Sequence, residues 1–370
     1  IDLISYIGEF AMSSYLRLAK KVFHKNLPEH IIFFVTATCN MRCSMCFYET
    51  YLNQSENELT LEEITKISES MPPFQWLQVS GGETFLRKDL DKIIGLFARN
   101  NKTQFFNIPT NGFYPDRILS LGENMLKENP SAFINIAISI LGINDVHDEI
   151  TGIKGSFEKA IFSYQKLQEL QKKYPNLGLS FSVNQNSTNE NTVKELFHYL
   201  IDKCDAKQIS FMFARGADIE NKYTDTSPEL YRENLTYLNN LTKNKEGYYF
   251  NMPLKTFFRS VSSLQKDISY EVAMNKKFVT PCYAGRLSAV LTEEGDFYSC
   301  EMRKTALGNF RESNYDFNAI WNSETAEQER SDIKDNKCFC THDCFLNTNI
   351  VFNPGIYPRL AKKWLSQVAQ

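Results

Sequence analysis

The segment IIFFVTATCNMRCSMCF, residues 31–47, decides the fold. Its first seven residues are apolar or β-branched, which is typical of a short strand buried on both faces. Cys39, Cys43 and Cys46 follow almost at once. Three thiols cannot all pair as disulfides, and structural zinc sites usually have four ligands. The triplet therefore predicts a metal site with one position left open, on the loop after the first strand.

Further short apolar segments have the same character and alternate with helical patterns. The strand-like segments are residues 76–80, 105–110, 133–139, 179–183 and 209–213. One helical pattern follows Thr60, which has capping-box spacing to Glu63. Strand–helix units in this succession predict an α/β fold with a parallel sheet, in the form of a complete or partial barrel. Chemistry in such folds lies on the loops at the carboxyl ends of the strands.

The composition of the 370-residue chain is typical of a globular protein, with 42% hydrophobic and 23% charged residues. A formal net charge of −3 gives no support for nucleic-acid binding, which calls for a basic surface. No apolar run reaches about eighteen residues, so we expect no transmembrane helix. Nine cysteines without a secretory signal predict a reducing, cytoplasmic location in which thiols serve metals or catalysis.

Residues 1–30 form an N-terminal region whose apolar positions recur at helical spacing. Basic residues cluster towards its end, at Arg17, Lys20, Lys21 and Lys25. A basic amphipathic helix can lie on an anionic membrane surface. Packing across a domain is the more common use of such a helix, and we favour it over peripheral membrane contact.

A second motif, QVSGGETF, follows the second predicted strand. Gly81 and Gly82 let the backbone approach a ligand closely, and the Glu83 carboxylate can accept a hydrogen bond from a cofactor ammonium group. Two further segments lie at the ends of the third and fourth strands: PTNG, residues 109–112, and SILG, residues 139–142. The carboxyl ends of neighbouring strands are where this class of fold keeps its chemistry.

These segments resemble the radical S-adenosylmethionine (radical SAM) superfamily over about residues 31–216. The resemblance implies that Cys39, Cys43 and Cys46 ligate three irons of a 4Fe–4S cluster. The amino and carboxylate groups of S-adenosylmethionine would chelate the fourth iron. The resemblance and the positions at the strand ends give a set of candidate cofactor-binding residues: Gly81, Gly82, Glu83, Asn111, Ser139 and Arg215.

Two positions depart from the family pattern. The residue before the third cysteine is often aromatic in the family and is Met45 here. The family's S-[IL]-D-G segment has an aspartate where this chain has Leu141, so no role of an acid is carried over. His147 and Asp148 match the histidine–aspartate pair of the same segment.

A second group of cysteines lies near the C-terminus. Twelve residues separate Cys282 from Gly295, and four separate Gly295 from Cys300. The sequence EEGD between the two cysteines predicts a hairpin that brings them to one end. The remaining thiols of the group are those of Cys338, Cys340 and Cys344. Five thiols exceed the four that close a cluster, and we expect Cys338 or Cys340, rather than Cys344, to be the spare one.

This region resembles the auxiliary-cluster domain of the same family, called SPASM when it holds two clusters and twitch when it holds one. The resemblance implies one auxiliary 4Fe–4S cluster, because the full seven-cysteine pattern is absent. A structural zinc site is the alternative. We expect His342 to lie beside a ligand rather than to act as one, and Cys204 to be a packed thiol.

The predicted fold is α/β: a partial (β/α)6 TIM-like barrel with a small C-terminal twitch/SPASM-like domain. The barrel takes up residues 31–216 and the small domain residues 281–350. A helical bridge, residues 217–280, joins them, and a C-terminal helix covers residues 351–370.

The resemblance implies an enzyme that reductively cleaves S-adenosylmethionine to a 5′-deoxyadenosyl radical, which abstracts a hydrogen atom from the substrate. An electron donor such as flavodoxin or ferredoxin would be its partner. Only about thirty residues precede the first strand, which is short for a leader-peptide recognition domain. This favours a small metabolite, such as a sugar, an aminocyclitol or a lipid-linked group, that is dehydrogenated or epimerised. Radical modification of a ribosomal peptide is the alternative, and a noncatalytic metal-binding scaffold is the alternative of another class.

Overall fold

The computed structural model describes residues 26–54, 56–213, 226–243 and 255–368. Its nine strands are β1 His30–Phe34, β2 Trp76–Ser80, β3 Phe105–Thr110, β4 Phe133–Ser139, β5 Leu177–Gln185, β6 Ile209–Phe213, β7 Ser288–Leu291, β8 Asp296–Tyr298 and β9 Ala306–Asn309. They form one sheet in the order β6–β5–β4–β3–β2–β1–β7–β8–β9. Strands β1 to β7 pair in parallel, whereas β8 pairs antiparallel with β7 and β9. The predicted parallel α/β fold is confirmed.

Helices connect and cover these strands. They are α1 Leu61–Ser70, α2 Leu90–Asn100, α3 Pro115–Glu128, α4 Asp145–Thr151, α5 Ser156–Lys173, α6 Val193–His198, α7 Pro228–Thr242, α8 Lys255–Asn275, α9 Phe317–Trp321, α10 Glu324–Asp335, α11 Asp343–Val351 and α12 Tyr357–Val368. A π-helical turn, Tyr199–Lys203, continues α6. None of the described helices is both long and apolar enough to cross a membrane.

The main core lies on one face of the sheet, beneath α1, α2, α3 and α5. Because strand residues alternate between faces, Leu77 and Val79 of β2 point into this core, where they are fully buried with Ile64 and Phe97 of the helices. The residue between them, Gln78, is half-buried on the opposite face, which we call the inner face. The same alternation continues in β3 and in the first half of β4.

The C-terminal strands extend this sheet beyond β1. His30 of β1 pairs with Ser288 of β7, and the predicted hairpin joins β7 to β8. Gly295 closes the hairpin with a φ of +92°, a conformation that glycine adopts without strain. Cys282 precedes this hairpin and Cys300 follows it. These two cysteines are therefore attached to the same sheet as the first three cysteines.

Helices α8, α11 and α12 form a smaller core that includes Leu264, Ile350 and Leu360. Two aromatic contacts join these helices to the amino end of the inner face. Phe258 of α8 lies 6.3 Å from Phe105 between ring centroids, and Phe352, just after α11, lies 6.5 Å from Trp76. These rings cover the amino end of the inner face.

An ion pair ties α1 to the segment after β9. Arg311 donates from Nε to Oε1 of Glu63 at 2.6 Å and from Nη2 to Oε2 at 3.1 Å. Tyr315 donates to the same Oε1 at 3.0 Å, and the backbone N–H of Thr60 donates to Oε2 at 2.8 Å in the predicted capping box. Glu63 therefore serves both its own helix and a contact between distant parts of the chain.

Replacing Arg311 with methionine should lower the free energy of unfolding by about 1 kcal/mol near neutral pH, because a two-point contact between partly buried groups is lost. Urea unfolding of the two proteins measures the difference. Lys172→Met, which removes the exposed partner of Glu169, is the matched control and should leave stability unchanged.

The same difference should depend on pH. The hydrogen bonds from Arg311 lower the pKa of Glu63 from 4.5 to about 2. A carboxyl group whose pKa is lower in the folded state stabilises the fold above its unfolded pKa and loses this effect as pH falls towards the folded value. The difference between the native protein and R311M should be complete above pH 4.5 and shrink towards pH 2. A difference that stays constant over this range would contradict the assignment.

Candidate active site

Cys39, Cys43 and Cys46 lie together on the loop after β1, which we call the thiol loop, residues 35–48. All three side chains are half-buried. The loop turns tightly between them, since the Cys46 N–H donates to the Cys43 carbonyl at 3.0 Å. The Met41 N–H approaches Cys39 Sγ at 3.4 Å. The sequence thus presents three thiols from one short turn.

Polar groups outside the motif hold the thiol loop from one side. Asn53 accepts from the Cys39 N–H at 3.0 Å and donates to the Cys39 carbonyl at 3.1 Å. Glu58 accepts from the Thr36 hydroxyl at 2.7 Å and from the Ala37 N–H at 2.8 Å. Sequence reasoning missed Asn53 and Glu58, because single polar residues in a connecting segment form no recognisable pattern.

On its other side the thiol loop pairs with the end of α4. The Arg42 N–H donates to the Thr151 carbonyl at 3.3 Å, and the Ser44 N–H donates to the Ile150 carbonyl at 2.9 Å. These are backbone bonds, and the thiols take no part in them. The loop is therefore shaped by its surroundings, which leaves the thiols available to a ligand.

The electrostatics of the three thiols suit a cationic metal centre. Burial, together with repulsion from the neighbouring Cys46 and Cys39, raises the pKa of Cys43 to about 12. Burial likewise raises the pKa of Cys46 to about 11. Thiolates so placed need a positive partner, and coordination to a metal deprotonates a thiol outright. No three His, Cys, Asp or Glu side chains within the described ranges converge as around a single metal ion. Iron–sulfur clusters, in contrast, are held by thiolates such as these.

Gly81 and Gly82 press the turn after β2 against the thiol loop. The Gly82 N–H donates to the Thr36 carbonyl at 2.8 Å, and the next N–H donates to the Thr38 carbonyl at 2.9 Å. A Cβ on Gly81 would lie 2.3 Å from the Thr36 oxygen, and one on Gly82 would lie 2.3 Å from the Thr38 oxygen. The close approach seen here is between two stretches of backbone, and approach of a ligand to the same glycines stays a prediction.

Glu83 connects this turn to the segment after β3. It is 3% exposed; its Oε1 accepts from the Thr110 hydroxyl at 2.6 Å and from the Phe85 N–H at 3.1 Å, and its Oε2 accepts from the Asn111 N–H at 2.7 Å. Burial raises the pKa of Glu83, against the effect of these hydrogen bonds. A carboxylate offers about four acceptor positions. One further donor, such as an ammonium group, could therefore bind Oε2.

The segment after β3 returns to the thiol loop. The Asn111 side-chain amide donates to the Asn40 side-chain oxygen at 2.9 Å. Ser139, the last residue of β4, is half-buried and pairs in register with Ser182 of β5. Arg215 and residues 1–25, which include the predicted N-terminal helix, lie outside the described residues.

His147 and Asp148 organise the segment after β4. The ring Nδ1 of His147 accepts from the Leu141 N–H at 3.0 Å, and burial lowers the pKa of this imidazole to about 4. Asp148 accepts from the Phe157 N–H at 2.9 Å, from the Ser156 hydroxyl at 2.9 Å and from the Gly155 N–H. Asp148 thus fixes the turn between α4 and α5, and His147 holds the segment between β4 and α4.

The two departures from the family pattern lie in contact. Met45 and Leu141 pack in one small apolar cluster with Ile150 and are 9% and 5% exposed. The Asn186 amide also approaches Met45 Sδ at 3.2 Å. The two replacements are thus parts of one local packing arrangement between the thiol loop and the segment after β4.

The second group of cysteines, within residues 282–344, lies around an apolar cluster on the inner face of β1 and β7. Burial raises the pKa of Cys300, which Cys340 and Cys282 raise further. Burial and the neighbouring Cys338 raise the pKa of Cys282. Cys344 packs against the same apolar cluster. The structure brings the five thiols into one region and does not single out the spare one.

His342 lies beside this group. Its Nε2 is 2.8 Å from Oε1 of the buried Glu301, and its ring stacks on Phe345 at 4.6 Å between centroids. The His342 N–H approaches Cys340 Sγ at 3.4 Å. Cys204 is 3% exposed in the main core, as expected of a packed thiol.

Two family profiles match the chain. The radical SAM superfamily profile matches residues 33–200, and the SPASM iron–sulfur cluster-binding domain profile matches residues 282–345. The first covers the thiol loop and the segments after β2, β3 and β4. The SPASM profile covers the hairpin and the second group of cysteines.

Curated proteins of known function are similar to parts of the chain. Fe-coproporphyrin III synthase of Methanosarcina barkeri is 28% identical over 198 residues, which is 50% of this chain and 47% of that protein. A probable GTP 3′,8-cyclase of Methanococcus vannielii is 30% identical over 35% of this chain and 43% of that protein. The chain thus spans less than half the length of these two relatives. AdoMet-dependent heme synthase of Oleidesulfovibrio alaskensis is 22% identical over 82% of this chain and 77% of that protein.

Solved structures share the fold. The protein anSMEcpe with bound AdoMet superimposes with a TM-score of 0.60 and 16% identity, covering 92% of this chain and 96% of that one. Streptococcus suis SuiB bound to S-adenosylmethionine gives 0.56 and 15%, covering 87% of this chain and 73% of that one. With both profiles matched on the two thiol-bearing regions, the chain belongs to the radical SAM superfamily, and its cofactors are S-adenosylmethionine and 4Fe–4S clusters.

Proposed function

We propose that this radical SAM enzyme acts on a small polar metabolite, such as a sugar, an aminocyclitol or a lipid-linked group, and dehydrogenates or epimerises it. The observation that carries the proposal is a ladder of uncharged polar side chains on the inner face: Gln78, Asn107, Asn135 and Ser180. Two curated relatives are named for a porphyrin product and for GTP, which supports a small molecule.

The ladder crosses four neighbouring strands. Asn107 donates to Gln78 at 2.6 Å, Asn135 donates to Asn107 at 2.5 Å, and the Asn135 amide lies 3.0 Å from the Ser180 hydroxyl. The side chains that β2 to β6 direct to this face include no charged group. Amides and hydroxyls at fixed spacing suit a ligand that carries hydroxyl or amide groups.

We assign the first cluster to Cys39, Cys43 and Cys46. The bound cluster and S-adenosylmethionine supply the one-electron chemistry that removes a hydrogen atom from an unactivated carbon. Glu83 would orient the cofactor through its ammonium group, with the Gly81–Gly82 turn, Asn111 and Ser139 along the same edge of the sheet. The ladder would hold the substrate, and the rings of Phe258 and Phe352 would exclude water from the amino end of the inner face.

The second cluster is assigned to Cys282, Cys300 and two of the three thiols at 338, 340 and 344. One auxiliary cluster then requires four of the five thiols. His342, paired with Glu301, would support the cluster from outside its ligand set. An electron donor of the flavodoxin or ferredoxin class completes the proposal.

Anaerobic reconstitution of the full chain should give about eight irons and matching sulfide, four for each cluster. Cys43→Ala should retain about half of the iron and form no 5′-deoxyadenosine with dithionite, since one cluster loses a ligand. Cys204→Ala, which removes a packed thiol, is the control and should retain both clusters. Zinc without labile sulfide would instead support the noncatalytic scaffold.

Glu83→Gln should weaken S-adenosylmethionine binding by about tenfold, because a charged acceptor for the ammonium group is lost. Equilibrium binding to the reconstituted protein measures the change. Iron content and thermal unfolding of the same variant separate this effect from loss of the hydrogen bonds by which Glu83 joins the segments after β2 and β3. Unchanged affinity in a fully loaded variant would refute the role given to Glu83.

The small-molecule fraction of a cell extract should stimulate 5′-deoxyadenosine formation by the reconstituted enzyme. The baseline is the uncoupled rate, which is the rate of 5′-deoxyadenosine formation without added substrate. Asn135→Leu should abolish the stimulation and leave the uncoupled rate unchanged, because the ladder contacts substrate and not cofactor. Ser210→Ala, on the same face but outside the ladder, is the matched control. Stimulation by the peptide fraction alone would favour the peptide alternative.

A further inference from the structure

A polar groove lies between α7, α8 and α12, away from both thiol groups. Its volume is about 380 Å³. The described residues that line it include five cationic side chains and one carboxylate, that of Asp267, with a net formal charge of +4 among them. The cations are Arg232, Lys243, Arg259, Lys266 and Lys363. The whole chain has a net charge of −3, so this positive charge is a local concentration.

The single carboxylate fixes one wall of the groove. Arg232 Nη1 lies 2.6 Å from Asp267 Oδ1, and Lys363 Nζ lies 2.6 Å from Oδ2. Asp267 thus joins α7, α8 and α12 and balances one of the two cations that it contacts. Apart from Asp267, the described lining residues carry no carboxylate.

Neutral polar groups complete the lining. Asn239 and Asn240 come from the end of α7, and Ser262 and Ser263 come from the middle of α8. Cationic groups combined with hydroxyl and amide donors are the usual partners of phosphate oxygens in proteins. A like-charged set of side chains is costly to assemble unless an anion binds between them.

The groove lies apart from the chemistry. Phe258 contacts Phe105, the first residue of β3, and Arg259 follows it directly along α8. The groove therefore begins at the amino end of the sheet, whereas the thiol loop lies beyond the carboxyl end of β1. A ligand in the groove is not the molecule that loses the hydrogen atom.

We propose that this groove is a binding site for a phosphate-bearing anion, either a free phosphorylated molecule or the headgroup of an anionic lipid. Trp364 and Leu365 follow Lys363 on α12 and are 46% and 62% exposed. Exposed Trp and Leu beside lysines are typical of helices that rest on anionic membranes. Both sources present the same phosphate oxygens to the same side chains.

Calorimetric titration of the full chain with pyrophosphate tests the shared chemistry. Binding should be measurable at low salt and weaken as salt screens the charges. Lys243→Glu/Lys266→Glu should weaken it by more than tenfold. Lys276→Glu/Lys277→Glu, an equal change of charge at exposed positions just after α8 and outside the groove lining, is the matched control and should bind as the native protein does. Lys266→Gln alone, a milder change, should give an intermediate loss.

Cosedimentation with vesicles distinguishes the two sources. Vesicles of phosphatidylcholine with phosphatidylglycerol should retain the protein if the phosphate belongs to a lipid, and pure phosphatidylcholine should not. Trp364→Ala should then reduce retention without changing the pyrophosphate affinity. Groove-dependent binding of pyrophosphate without vesicle binding assigns the site to a free phosphorylated molecule. Absence of both, or equal binding by Lys243→Glu/Lys266→Glu and the control, overturns the proposal.

Discussion

The close backbone contact between the turn after β2 and the thiol loop is the constraint on which the site depends. The Gly82 N–H reaches the Thr36 carbonyl only because neither glycine there carries a Cβ. From this contact, Glu83 reaches the segment after β3, and Asn111 reaches back to Asn40 on the thiol loop. The thiols are thus positioned by a closed circuit of short contacts in which they take no part.

Much of the fold follows from the sequence, because its strands are short, apolar and separated by helical patterns. The capping box at Thr60 and the hairpin closed by Gly295 were also predictable from local rules. The pairing of β1 with β7 was not, because nothing local in a four-residue strand identifies a partner at the other end of the chain. For the same reason the sequence could not show that the C-terminal strands continue the main sheet.

The sequence points to candidate site residues where chemistry dictates residue type, as for the cysteines and Glu83. It does not point to the supports of the thiol loop, since Asn53 and Glu58 act through geometry that a sequence does not display. Met45 and Leu141 show a further limit. Each was visible as a separate departure from the family pattern, and only the structure shows that the two side chains touch the same apolar cluster.

The position of β1 has a consequence for the order of folding. It lies between β2 and β7, and its partner Ser288 is synthesised long after His30. Until β7 has been made, one edge of β1 is an unpaired parallel edge of the kind that promotes association between chains. Contacts so distant in sequence also form slowly. A nascent chain therefore completes the pairing of β1, the strand before its first three cysteines, only after the C-terminal hairpin has joined it, which makes early truncation products prone to aggregate.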